Sequence, residues 1–384
     1  MSYRIGSFNL FKLNFEADKE KKKDFEKIAN IIRDNHIDIL AIQEAFARDA
    51  VEQIVYFLGS SHYKFSWEQP KRKGASSQQL EGYAFIWDTR RIRLAKKKEK
   101  RTNRIIDANP QIFTGYNASI GKSIKNEFGQ IIKHPRLARD PYYGRFSPVG
   151  LPRVEFRIIN THIMFSKNKE IDEKETESNL QKGDIHYRRN EFQMLAKSIY
   201  NKIANSPQDN KVFYTVIAGD YNLCLYEQPT LMHNEIKLEN MTLVTVQHKK
   251  TSLKTPPSAE NNPKKLQEFK EKIRTLEDCY AHNYDHFSYA KEKFDGVNVS
   301  YDRVESLKNH TKSTEHFDKL QEHRKTISDH VPIYFDIELN PNAGMILSYN
   351  QTKGGEKCLE QKKNKKGGRM VKSLIKKNLW QLML

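Results

Sequence analysis

The residues able to do chemistry in this chain stand in short runs, each next to an apolar stretch. In Thr215-Val216-Ile217-Ala218-Gly219-Asp220-Tyr221-Asn222 a β-branched run ends in glycine, then offers a carboxylate and an amide one residue apart. Val212 to Ile217 has the length and composition of a buried strand. Gly219 permits a sharp turn, and Asp220 and Asn222 fall on the same side of an extended backbone. A carboxylate and an amide on a rigid support suit a metal ion and a phosphate oxygen, although Gly-Asp-x-Asn alone is more often a turn.

Other runs repeat the pattern. Phe8-Asn9-Leu10 closes a strand beginning at Tyr3, and Ile37 to Ile42, too short for a helix, ends in Gln43-Glu44. Between them Phe25, Ile28, Ala29 and Ile32 recur at helical spacing, so the segment reads as strand–helix–strand. If the two strands are neighbours, Asn9 and Glu44 meet at the edge where open α/β sheets bind ligands. A carboxylate buried behind such a run needs a cation. Glu81 leads into the aromatic strand Tyr83 to Trp87, and Asn160-Thr161-His162 ends a strand running from Val154. A histidine in that position is either structural or a proton carrier. Arg139-Asp140-Pro141 precedes strand candidates around Phe146 and from Val154. Tyr284-Asp285 opens another strand, with a second pair, Tyr301-Asp302, behind it. Ser328-Asp329-His330 precedes the alternating strand Ile333 to Glu338.

The elements that carry these residues alternate between strands and helices. A helix with Phe192, Leu195, Ala196, Ile199 and Ile203 on one face leads into the Asp220 strand. In 384 residues, 37% are apolar, enough for a sizeable core, and 30% are charged. Lys and Arg exceed Asp and Glu by 66 − 48 = 18. That excess favours a polyanionic partner, nucleic acid first and an acidic membrane surface second. Nine basic residues lie between Arg90 and Arg104 against one acid, Glu99. Such a run is usually a solvated face, and beside a phosphate site it becomes a backbone contact. The three cysteines are far apart and offer neither a disulfide framework nor zinc spacing. No signal peptide or membrane-spanning stretch is visible, so a cytoplasmic protein is expected. The expected domain covers 1–340, with insertions near 96–135, 166–190 and 249–275, the last read as a loop or partly ordered passage. A basic tail, 341–384, is expected to be flexible, with a short amphipathic helix at its end.

The ordered set Asn9, Glu44, Glu81, His162, Asp220-x-Asn222, Asp285 and Ser328-Asp329-His330 resembles the endonuclease/exonuclease/phosphatase superfamily, the DNase I-like fold. Glu81-Gly82-Tyr83-x-Phe85, Arg139-Asp140-Pro141 and Tyr284-Asp285 are most similar to its DNase I branch. Tyr221 stands where the pattern has Phe, a departure that should be tolerated. The resemblance implies an α/β four-layer sandwich of two packed mixed β-sheets flanked by helices. It also implies metal-dependent hydrolysis of phosphoester bonds.

Hydrolysis of a phosphodiester needs a water nucleophile, neutralised phosphoryl oxygens and a protonated leaving oxygen. Mg²⁺ suits a few hard oxygen ligands, and Mn²⁺ or Ca²⁺ can substitute or assist. Glu44 and Asn9 would hold it with Asp329 as a further ligand; a second metal would fall to Asp220 and Asn222. The resemblance pairs His330 with Asp285 as general base and His162 with Glu81 as general acid, labels that can be exchanged. It has Asp220 orienting water or metal, Asn222 binding a phosphate oxygen and Arg139 touching the nucleic-acid backbone. The leading expectation is a DNA endonuclease, kept in check by strict specificity or a regulatory protein partner. Alternatives are a phosphatase or lipid phosphodiesterase, an AP-type repair endonuclease, and a non-catalytic nucleic-acid-binding module.

Overall fold

A computed structural model describes residues 1–15, 23–70, 81–99, 101–114, 124–125, 131–132, 137–163, 183–206, 211–224, 235–246 and 249–339. The basic tail, most of the 166–190 connection and parts of the 96–135 passage lie outside the described residues. In chain order the strands begin with β1 Ser2–Leu13, β2 Ile39–Ala45, β3 Tyr63–Glu68, β4 Tyr83–Asp88, β5 Ile92–Leu94, β6 Lys96–Lys98, β7 Ile105–Asp107 and β8 Gln111–Ile112. They continue with β9 Ile124–Lys125, β10 Ile131–Ile132, β11 Tyr142–Pro148, β12 Val154–His162, β13 Val212–Asp220, β14 Glu235–Lys237 and β15 Thr242–Thr245. The last three are β16 Asp285–Ala290, β17 Asn298–Arg303 and β18 Ile333–Glu338.

One sheet runs β17-β18-β1-β2-β4-β3, the other β14-β15-β16-β13-β12-β11-β5 with β8 beside β11. Both are mixed, with parallel pairs β1–β2 and β12–β13 among antiparallel neighbours. Their facing sides share a core of Ile5, Ile39, Phe85, Phe156, Val216, Phe287 and Phe335. Leu40 and Ile42 point the other way and pack under helices Phe25–Asp34 and Arg48–Leu58. On the outer face of the second sheet, Ile159 and Ile217 meet Phe192, Leu195, Ile199 and Ile203. These last four lie on the helical segment from Gly183 to Ala204, which opens into a π-helical turn at Leu195–Tyr200. The result is the expected four-layer sandwich, helices on sheet on sheet on helices. Period-2 burial in the strands and period-3.6 burial in the helices dictate it.

Strand direction decides where the polar residues go. The parallel pairs deliver Asn9, Glu44, His162 and Asp220 to one edge of the two sheets. Antiparallel β16 and β18 start at that edge, which brings Asp285, Asp329 and His330 alongside. The basic run beginning at Arg90 is at the other edge. Arg90 pairs with Asp88 at 2.7 Å, Arg91 with Asp38 at 2.5 Å, and Lys96 with Asp107 at 2.7 Å. From Asp38 to Glu44 is six residues of extended chain, about 20 Å. Arg90 and Arg91 therefore support the sheet end and are remote from the site. Tyr301-Asp302 is likewise elsewhere, on the edge strand β17.

The 249–275 passage differs from its expectation. It is ordered, with helix Pro263–Glu271 capped by Asn262, whose side chain accepts from Lys265 N at 3.1 Å. Its start is stitched by backbone pairing to two distant segments, Ser252 opposite His330 and Leu253 opposite Tyr280. Leu253 and Ile273 then join Cys279, Tyr280, Leu307, Phe317, Leu320 and Val331 in a satellite core.

Candidate active site

Asp220 Oδ2 is the point on which the site converges. Asn9 Nδ2 donates to it at 3.0 Å, and the Nε2 atoms of His162 and His330 each lie 3.7 Å away. Behind each imidazole stands a separate carboxylate. His330 Nδ1 is hydrogen-bonded to Asp285 Oδ2 at 2.7 Å, and His162 Nδ1 is 2.9 Å from Glu81 Oε2. The register of the second sheet enforces this, setting His162 opposite Asp220 and Asp220 opposite Asp285 on three adjacent strands. Two imidazoles thus face one shared space, each with its far nitrogen held by an acid.

Local conformation aims the side chains. A Cβ on Gly219 would sit 1.9 Å from Thr161 O, so only glycine lets β13 approach β12 just before Asp220. Asn222 and Glu44 both take left-handed backbone, at φ 50° and 56°. Asn adopts this readily and Glu at a modest cost, so the Glu44 turn is held by its surroundings. Asn9 Nδ2 donates to Glu44 Oε1 at 3.1 Å, and Lys12 N to Oε2 at 3.0 Å. Asn222 N donates to Asp220 Oδ1 at 2.8 Å, and its amide nitrogen is 3.3 Å from His162 Nε2. Arg139 is here too, bonding Glu81 Oε1 at 2.5 Å and His162 O at 3.3 Å. Tyr221 is accommodated in place of Phe because its hydroxyl reaches Ser288 Oγ at 3.0 Å.

The electrostatics follow from burial and from these neighbours. Burial works against charge on His330, but Asp285 and Asp220 prevail and hold its pKa well above the ordinary imidazole value. His162 is also raised: burial and Arg139 oppose its charge, and Glu81 with Asp220 outweigh them. Burial pushes Asp220 up, with Asp285 adding to it. Asp285 is also buried, yet His330 draws it below the usual carboxylate range.

A divalent cation fits the acid side of this network. Asp329 Oδ1 is buried without a hydrogen-bond partner, and the Glu44 and Asp220 carboxylates converge on one amide nitrogen. Asp220, Asp285 and His330 also place ligand atoms within 4.8 Å of one another. The 2.7 Å bond between His330 and Asp285 already commits two of those groups. Glu44, Asp220 and Asp329 are the better-suited hard oxygen donors. Asn9 presents its nitrogen to them, because its Oδ1 accepts from Phe11 N at 2.9 Å. To ligate a cation through oxygen its amide must turn over.

Several supports had no role in the sequence reading. Gln43 Nε2 donates to Asn160 Oδ1 at 2.7 Å, and Asn160 Nδ2 to Ile42 O at 2.9 Å, tying the two sheets together beneath the site. Ser328 Oγ donates to Asn9 O at 2.7 Å and accepts from His330 N at 3.1 Å. Thr251 Oγ1 accepts from Asp285 N at 3.2 Å. Each joins residues far apart in sequence, and only the polar residue types themselves were visible beforehand.

No family model and no curated protein matches this chain. Similar solved structures include an endonuclease/exonuclease/phosphatase from Bacteroides vulgatus, 13% identical with TM-score 0.48, covering 88% of this chain and 100% of that one. TDP2 from C. elegans is 13% identical at TM-score 0.45, over 88% and 75% of the two chains. A mannosyl-6-phosphatase from Bacteroides thetaiotaomicron is 12% identical at 0.46, over 88% and 100%. At 12–13% identity these are likenesses of fold alone. Nothing among these likenesses singles out the DNase I branch.

Proposed function

We propose that this protein is a metal-dependent phosphodiesterase, most specifically an endonuclease acting on DNA. The observation that carries the reading is the pair of imidazoles, each backed by its own acid, facing the one oxygen of Asp220. Hydrolysis needs two proton transfers on opposite sides of phosphorus, and two such imidazoles supply them. His330 Nε2 takes the proton of the attacking water, and Asp285 stabilises the resulting imidazolium. The water oxygen bonds to phosphorus as the leaving oxygen departs and receives the proton of His162 Nε2, which Glu81 orients. Asp220 orients the water, Asn222 donates to a phosphoryl oxygen and Arg139 steadies Glu81 while facing the backbone. Glu44 and Asp329 would hold Mg²⁺, with Asn9 joining them only once its amide turns over, and the ion would neutralise charge on the phosphoryl oxygens. The net charge of +18 suits a polyanion.

The test is incubation of the purified protein with supercoiled, linear and single-stranded DNA, RNA and inositol phosphates, with Mg²⁺ or with chelator. Backbone cleavage that chelator abolishes is expected. Phosphate release from monoesters with intact nucleic acid would replace this reading with a phosphatase.

A further inference from the structure

The acid–base network occupies only the floor of a cavity of about 790 Å³. One wall comes from the 249–275 passage and the segment leading to Asp285: Ser252, Lys254, Phe269, His282 and Tyr284 all line it. That volume is of the order of a pocket enclosing a single ligand unit. The wall is built firmly. Leu253 N donates to Asp329 O at 2.7 Å and Val331 N to Thr251 O at 2.9 Å, which fixes it to the loop carrying His330. On its other side Thr251 N donates to His282 O and Ala281 N to Ser252 O, both at 2.8 Å. The rings of His282 and Tyr284 are stacked on this wall, centroids 4.8 Å apart and 15° from parallel. His282 is exposed, and Lys254 stands half-buried beside the pair.

An aromatic platform next to a phosphoester site is a surface on which a nucleobase stacks, and a base can reach it only when it has left the duplex stack. We infer that the His282–Tyr284 wall is a subsite for one unpaired nucleobase, and that the protein acts on single-stranded or locally unpaired polynucleotide in preference to continuous duplex. Lys254 supplies a charge contact to the neighbouring phosphate. This inference rests on the phosphodiesterase reading of the floor and assigns the substrate class to it.

The experiment compares two single strands of equal length, one with ordinary bases and one with abasic tetrahydrofuran units flanking the scissile phosphate. Cleavage is followed in Mg²⁺, and binding separately by anisotropy in chelator. One stacked base is expected to tighten KM and Kd by about 5- to 150-fold over the abasic strand. His282→Ala should weaken the ordinary strand toward the abasic value, and His282→Phe should restore it. Lys254→Ala should weaken both strands alike and reduce the slope of log affinity against log salt by roughly 0.7. Equal KM and Kd for the two strands in the wild-type protein, or an equal loss on both in His282→Ala, overturns the subsite. A base-dependent Kd without any cleavage would keep the subsite and overturn the phosphodiesterase reading.

Discussion

The two ends of the paired sheets use aspartates to opposite effect. At one end Arg4 meets Asp336, Arg90 meets Asp88 and Arg91 meets Asp38, each acid with its own cation at 2.5–2.7 Å. At the other end Asn9, His162 and His330 converge on one oxygen of Asp220, and Asp329 keeps a buried oxygen with no partner. Pairing one-to-one settles charge and leaves little for a ligand to change. Convergence leaves charge unresolved, so protons shift easily and a cation is welcome. A run of nine basic residues drew notice in the sequence. Its first two members, Arg90 and Arg91, serve the settled end.

The largest expected effect tests the contrast directly. His330→Ala and His162→Ala should each lower turnover by about 10²–10⁴-fold with the fold intact by circular dichroism. Arg91→Ala, at the settled end, should leave turnover unchanged. Comparable losses at both ends would erase the distinction.

Next in size is the metal requirement. Glu44→Gln should raise the Mg²⁺ concentration for half-maximal activity by roughly 10- to 100-fold, because a neutral amide replaces a charged ligand. Calorimetric Mg²⁺ binding should weaken in parallel. An unchanged titration would make Glu44 structural.

A pH profile sharpens the assignment of roles. His330 acts as base only when deprotonated, and its pKa is raised above 6.5. The rate should therefore fall on the acid side through a value above 6.5. Removing the Asp285 charge lowers that pKa, so Asp285→Asn should shift the acid limb of kcat/KM to lower pH by about one unit or more. If the alkaline limb moves instead, His330 is the acid and His162 the base.

The smallest effect belongs to the settled end. Arg91 is nearly half exposed, so Arg91→Ala should lower stability in urea by only about 1 kcal/mol or less. A loss several times larger would mean that Asp38 depends on Arg91 as the site depends on Asp220.

Much of the site could be read from the sequence because each reactive residue ends or begins an apolar run. Val212–Ile217 announces a buried strand, and Asp220 must lie at its end. The sequence does not show which end of which strand comes together, since that depends on pairings such as His162 with Asp220. Gln43 and Asn160 are 117 residues apart, and nothing local marks their bond. The extent of order in the 249–275 wall is hard to see in the sequence for a related reason. Its helix Pro263–Glu271 fully buries none of its residues, and only Leu266 and Phe269 face the satellite core, too short a stripe to stand out. Much of its placement comes from backbone pairing to segments at 280 and 330, which leaves no compositional trace. Helix Arg48–Leu58 and strand β3 were also passed over, having no chemical residue to draw attention to them.

In its proposed role as a metal ligand, Glu44 sets catalysis against durability within one residue. A left-handed backbone at a non-glycine position gives up about 1–2 kcal/mol. Glycine at position 44 would relax that turn while discarding the carboxylate. Laboratory selection for thermal resistance alone would therefore tend to favour loss of the glutamate, and only a concurrent demand for turnover would preserve it.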